Sequence, residues 1–194
     1  MSATALFTDI VAIDDLTKLR QLSFAQLKEL YRQSDCPAAL SDLNGDAKGL
    51  MLAWRTPATG PLAWLLRKFG GAKSFPWKGK SFEASSANDG SGINRINFFG
   101  KRRWFPFGTR LDASIVDGKP AFVLDYAARK NLPLIRSIVD EVREVAPGLY
   151  FGPAALKVAG RPRLILFFAL CYENSSGGRC STTREGCNVY SSDR

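Results

Sequence analysis

Asp117-Gly118 separates two stretches of alternating polarity, RWFPFGTRLDASIV and KPAFVLDY, and this arrangement constrains the chain more than any other segment. The dipeptide favours the positive φ angles of a two-residue type I′ turn, so the spacing predicts a β-hairpin. A two-residue turn sets Val116 opposite Lys119, Ala113 opposite Phe122, Leu111 opposite Leu124 and Arg110 opposite Asp125. Successive side chains of a strand point to opposite faces. Leu111, Ala113, Ile115, Phe122 and Leu124 then form an apolar face, and Arg110, Asp112, Ser114, Ala121, Val123 and Asp125 a largely polar one. A sheet with one buried and one wetter face is antiparallel by preference.

The remaining segments supply the partners of this hairpin. Residues 14–34 read as helical, with Ser23 and Gln26 at capping-box spacing and Phe24, Leu27, Leu30 and Tyr31 on a core-facing stripe. A strand follows over 43–54. A short helix opens at Thr59-Gly60-Pro61, carries Leu62, Leu65, Leu66 and Phe69, and stops at Gly70-Gly71. Residues 75–83 read as an edge strand, 84–92 as a loop and 93–99 as a strand. A basic turn over 100–103 leads into 104–107. Residues 131–146 read as a helix with Leu134, Ile138, Val142 and Val145 as its stripe, and Arg136, Asp140, Glu141, Arg143 and Glu144 in solvent. Strands over 149–156 and 164–170 close the domain, and the apolar LILFFAL of the latter suits a strand covered on both faces.

These elements add up to an α+β fold, an antiparallel barrel-like sheet of six to eight strands with about three helices. Its expected parts are an N-terminal helical segment over 1–42, a barrel over 43–170 and a polar extension over 171–194.

The chain has no histidine. That excludes a Ser-His-Asp or Cys-His nucleophile, a histidine general base and histidine metal ligands. Cys36, Cys171, Cys180 and Cys187 match no paired zinc spacing, and neither cofactor nor metal is implied. The first residues lack a basic n-region and no apolar run reaches the ~18 residues of a membrane-spanning helix, so a cytoplasmic protein is expected. A net charge of +9 raises phosphate or anionic-membrane partners, although the charges are spread as a merely solubilising surface would spread them.

Three groups of residues are candidates for chemistry. Arg110, Asp112 and Asp125 share a hairpin face; they are an exterior ion pair, or they fix the polar end of a ligand in a barrel mouth. Tyr126 falls on the face opposite Asp125. Trp77-Lys78-Gly79-Lys80 and Lys101-Arg102-Arg103-Trp104 interleave basic and aromatic residues, a solvated turn or a grip on nucleic acid or an anionic membrane. The many aromatic residues exceed what a small barrel needs to fill itself. They point to a pocket for an apolar ligand lined by Trp77, Trp104, Phe107, Phe122, Tyr126 and Tyr150.

Trp77-Lys78-Gly79-Lys80-Ser81-Phe82, Gly92-Ile93-Asn94, Phe105-Pro106-Phe107, Asp117-Gly118, Leu124-Asp125-Tyr126 and Gly148-Leu149-Tyr150-Phe151-Gly152 together resemble lipocalin-like barrels of the calycin type, over about residues 43–170. The likeness is to bacterial lipocalin-like domains of unknown function with a W-x-G-K-x-F stretch before the main strands. It implies a barrel enclosing a hydrophobic or amphipathic small molecule, with polar groups at the open end. An enzyme on that scaffold would be a cofactor-free cyclase or isomerase using Asp125, Arg110, Tyr150 or Glu83. Nucleic acid is the less expected partner.

Overall fold

The structure is a computed structural model and describes residues 16–54, 77–97 and 100–172. Eight antiparallel strands run up and down in sequence order and close into a barrel. They are β1 (Gly45–Trp54), β2 (Trp77–Ala84), β3 (Asp89–Asn97), β4 (Lys101–Ala113), β5 (Pro120–Asp125), β6 (Ile138–Ala146), β7 (Leu149–Val158) and β8 (Arg161–Cys171). β8 pairs with β1 from Lys48↔Cys171 to Trp54↔Leu166, so among the described residues no strand is left at a sheet edge. The segment expected to be an edge strand, β2, lies between β1 and β3.

Alternation builds two apolar layers from the same strands. The inner layer holds Phe82, Phe107, Phe122, Leu124, Tyr126, Val142, Phe168 and Leu170. The outer layer faces α1 (Leu16–Gln21) and α2 (Phe24–Gln33), where Leu19, Leu27 and Tyr31 meet Phe151 and Phe167. LILFFAL is apolar on both sides because Phe168 points inward and Phe167 lies beneath the helices. Ser23 caps α2 with the expected capping box, and the same residue separates α1 from α2 where one helix was expected.

One end of the barrel is stoppered. A 3-10 turn, Leu40–Leu43, places two fully buried leucines there. Its carbonyls are held by tyrosines: Tyr150 Oη donates to Asp42 O at 3.2 Å and Tyr172 Oη to Leu43 O. At the opposite end Met51, Trp54, Trp77 and Ile138 pack on the inner cluster while only partly buried.

The 131–146 helix is corrected to a four-residue α3 (Pro133–Arg136) followed by β6. A spacing of four satisfies both helical and strand periods, so Leu134, Ile138 and Val142 did not discriminate between them. The charged residues decide it: Asp140, Glu141 and Arg143 are all buried. The hairpin register also shifts by two, with Leu111 opposite Phe122 and Arg110 opposite Val123. The connection is six residues, 114–119, because Asp117 is drawn out of a tight turn into a bidentate pair with Arg143, 2.8 Å on each oxygen. A two-residue shift keeps the faces as expected. Lys101, Arg102 and Arg103, expected in a turn, begin β4, and the 159–160 turn precedes Pro162, which lies within β8. The helix expected from Thr59 lies outside the described residues.

Candidate functional site

The site begins with a break in strand alternation. In a regular strand Trp77 and Lys80 would point to opposite faces. The β2–β3 register slips between Trp77 and Gly79, and Gly79 takes φ 130°. That bulge turns Trp77, Lys80 and Phe82 all inward. Only glycine fits, since a Cβ at Gly79 would collide with the Ala47 carbonyl oxygen. A second bulge opposite β3 puts Phe105 at φ 56°, with its carbonyl accepting from Asn94 Nδ2 at 3.0 Å.

Inside the barrel these strands assemble a buried polar network. Lys80 Nζ donates to Asn94 Oδ1 at 3.0 Å, to Tyr126 Oη at 2.5 Å and to Asp140 Oδ2 at 2.8 Å, using all three of its protons. Tyr126 Oη donates to Asp140 Oδ2 at 2.9 Å and accepts from Asn94 Nδ2 at 3.1 Å. Asn94 Oδ1 also accepts from Trp77 Nε1 at 2.9 Å. Lys80, Asn94 and Tyr126 are thereby saturated. The open position is Asp140 Oδ1, which is buried without a partner. Thr109 Oγ1 is buried without a partner as well. Thr109 pairs with Leu124 and Leu124 with Asp140, so both unpaired oxygens belong to one inward-facing cross-strand row.

Four rings surround the ammonium. Lys80 Nζ lies 5.1 Å from the Phe168 centroid, 5.2 Å from Phe107, 5.3 Å from Tyr126 and 5.5 Å from Trp77, within cation–π range of each. Desolvation lowers the Lys80 pKa below the ordinary lysine value, against the opposing pull of Asp140. Burial, reinforced by Asp140, pushes the Tyr126 phenol well above its ordinary value. The network is therefore a neutralised group with one buried, unpartnered acceptor oxygen, Asp140 Oδ1.

Of the residues expected at the site, Trp77, Phe107 and Tyr126 meet around Lys80. Phe122 lies on the same inner surface and Tyr150 lies at the stoppered end. Trp104 is exposed, and Glu83 is exposed as well. Arg110 pairs with Asp112 at 3.1 Å and Asp125 at 3.3 Å on the barrel exterior, away from the Lys80 network. Sequence reading missed Lys80 as an interior group, Asn94 and Asp140. The signal for Lys80 was the poor alternation of WKGKSF, which marks a bulge.

A separate network occupies the outside of β6. Arg143 uses all five guanidinium protons, on Asp117, Tyr31 O, Lys119 O and Pro120 O. Glu141 accepts from Tyr31 Oη, Ser114 Oγ and Ile115 N. Together they pin α2 and the 114–119 loop to the barrel. Among the described residues no group of three or more Asp, Glu, Cys or His is placed to hold a metal, and no helix is long and apolar enough to cross a membrane.

No protein-family model matches the chain, and no curated protein matches it. A solved structure similar to it is that of a protein from Thermomonospora curvata, 20% identical over 90% of this chain and all of the other, with a TM-score of 0.49.

Proposed function

We propose that the barrel binds a hydrophobic or amphipathic small molecule whose polar end donates a hydrogen bond to Asp140 Oδ1. The observation that carries this reading is the single open valence of the Lys80–Asn94–Tyr126–Asp140 network, set among aromatic rings. A buried carboxylate oxygen without a partner costs about 1–3 kcal/mol, and a ligand hydroxyl or amide N–H recovers it. Up-and-down barrels of eight strands are the architecture in which lipocalin-like proteins hold one small ligand. The end rimmed by Met51, Trp54, Trp77 and Ile138 is the entrance, because the other is stoppered. The network's three ammonium protons are already taken, so it offers an acceptor and not a donor. Alcohols and amides are therefore preferred to fatty carboxylates.

Displacement of an apolar fluorophore by a long-chain alcohol and by its methyl ether tests this reading. The ether lacks only the donor, and the alcohol should compete about ten-fold better. Equal competition removes Asp140 from the binding role. Failure to bind any apolar fluorophore removes the reading altogether.

A second reading is cofactor-free isomerisation or cyclisation of an apolar substrate. The contact of Lys80, Tyr126 and Asp140, with the ammonium held below its ordinary pKa, favours it. Turnover that disappears in Tyr126→Phe while ligand affinity persists distinguishes it from binding alone.

A further inference from the structure

We infer that the entrance end of the barrel docks on an anionic lipid surface. In an up-and-down barrel the connections alternate between the two ends, and here they also segregate charge. Those at the stoppered end carry acids: Asp42 before β1, Asp89 after the β2–β3 turn, Asp117 between β4 and β5, and Glu144 before the β6–β7 turn. At the entrance end the described stretches 100–110, 126–139 and 156–164 contain no Asp or Glu. Lys101 and Arg102 at the start of β4 are exposed, as are Arg129 and Lys130 after β5. So are Lys157 and Arg161 on either side of the β7–β8 turn.

Large aliphatic side chains stand among these charges. Leu132 is 65% exposed, Leu134 44% and Val158 50%. Lys157 N donates to Ser137 O at 2.8 Å, which fixes the β7–β8 turn beside the segment bearing Leu132 and Leu134. Asn131 Nδ2 ties that segment to Pro106 O at 2.7 Å and Tyr126 O at 2.8 Å, so its apolar residues are held outward by a built support. Basic residues around protruding aliphatic side chains match an interface of anionic headgroups over acyl chains. A nucleic-acid surface would call for several stacking rings; Leu132, Leu134 and Val158 supply none, and the exposed Trp104 beside Lys101 and Arg102 equally suits the headgroup level of a lipid surface. The inference is independent of the ligand reading, because it uses no residue of the Lys80 network.

Flotation of the full chain with phosphatidylcholine vesicles, with and without one third phosphatidylglycerol, tests it. Binding should require the anionic lipid and weaken as salt rises. Each basic residue at such a surface contributes about five-fold, so Arg129→Gln/Lys130→Gln should weaken binding about thirty-fold. Lys119→Gln, at the stoppered end, should leave it unchanged. Leu132→Ser/Leu134→Ser, at exposed positions outside both apolar core clusters, should abolish the binding that survives at high salt. Absence of binding to the anionic vesicles overturns the inference, as does equal sensitivity to Lys119→Gln. Salt-dependent binding of single-stranded DNA in place of vesicles, lost in Arg129→Gln/Lys130→Gln and kept in Leu132→Ser/Leu134→Ser, overturns it in favour of nucleic acid.

Discussion

Lys80 Nζ and Asp140 Oδ2 lie 2.8 Å apart in the interior of the barrel, with side chains only 3% and 6% exposed. They come from β2 and β6, which have three strands between them in either direction around the barrel, so the pair spans the lumen. A buried pair of this kind is poor evidence for stability in itself, since desolvating two charges offsets much of their attraction. Its consequence is asymmetry: either partner alone is costly.

Asp140→Ala should therefore destabilise the fold by about 3–5 kcal/mol in chemical denaturation, because it strands a buried ammonium. Asp140→Leu/Lys80→Met should recover most of that loss while abolishing ligand binding. A double variant no more stable than Asp140→Ala would show that the pair does more than neutralise itself.

Tyr126→Phe removes the hydroxyl that accepts from Lys80 and Asn94 and donates to Asp140. Each buried group left unsatisfied costs about 1–3 kcal/mol, and the loss is read as a lowered denaturation midpoint. A midpoint equal to wild type would mean that the network rearranges freely around the gap.

The phenols make stability fall at alkaline pH. Tyr31, Tyr126, Tyr150 and Tyr172 all have their pKa values raised from 10.0, with burial as the leading cause. Above pH 10 the unfolded chain loses these protons while the folded chain keeps them, so the contribution present below pH 10 is lost as pH rises. Lys80 acts oppositely: its lowered pKa means that the unfolded chain binds the extra proton, so its contribution grows with pH up to 10.5. Four phenols outweigh one ammonium. Ultraviolet titration at pH 11 should show at most one tyrosinate of the five tyrosines until the protein unfolds. Early ionisation of several would contradict the buried network.

Arg143→Lys should cost about 2–4 kcal/mol although it keeps the charge, because an ammonium cannot supply the bidentate fork to Asp117 and the three backbone carbonyls. The hairpin loop and α2 should lose hydrogen-exchange protection together. Loss at one alone would separate the two attachments.

The barrel was legible in the sequence because alternation over β4, β5, β7 and β8 and the twice-apolar LILFFAL follow directly from strand geometry. β6 was not. Ile138 and Val142 recur at a spacing common to helix and strand, Val145 follows at a helical one, and the charges of β6 resembled a solvated helix face until Tyr31, Asp117 and Lys80 supplied partners from elsewhere in the chain. Trp77, Phe107 and Tyr126 were legible as inward-facing residues by their size. Lys80 was hidden by the Gly79 bulge, which reverses the face on which it should fall. Arg110 and Asp125 were placed correctly on one face, and the barrel closes with that face outward.

Native mass spectrometry of the protein purified from its own host, followed by solvent extraction, tests the central claim most directly. A mass above the bare chain, with an extracted apolar compound bearing a hydroxyl or amide N–H and lost from Asp140→Leu/Lys80→Met, is the predicted result. A bare-chain mass, together with no uptake of apolar alcohols offered in excess, would contradict it.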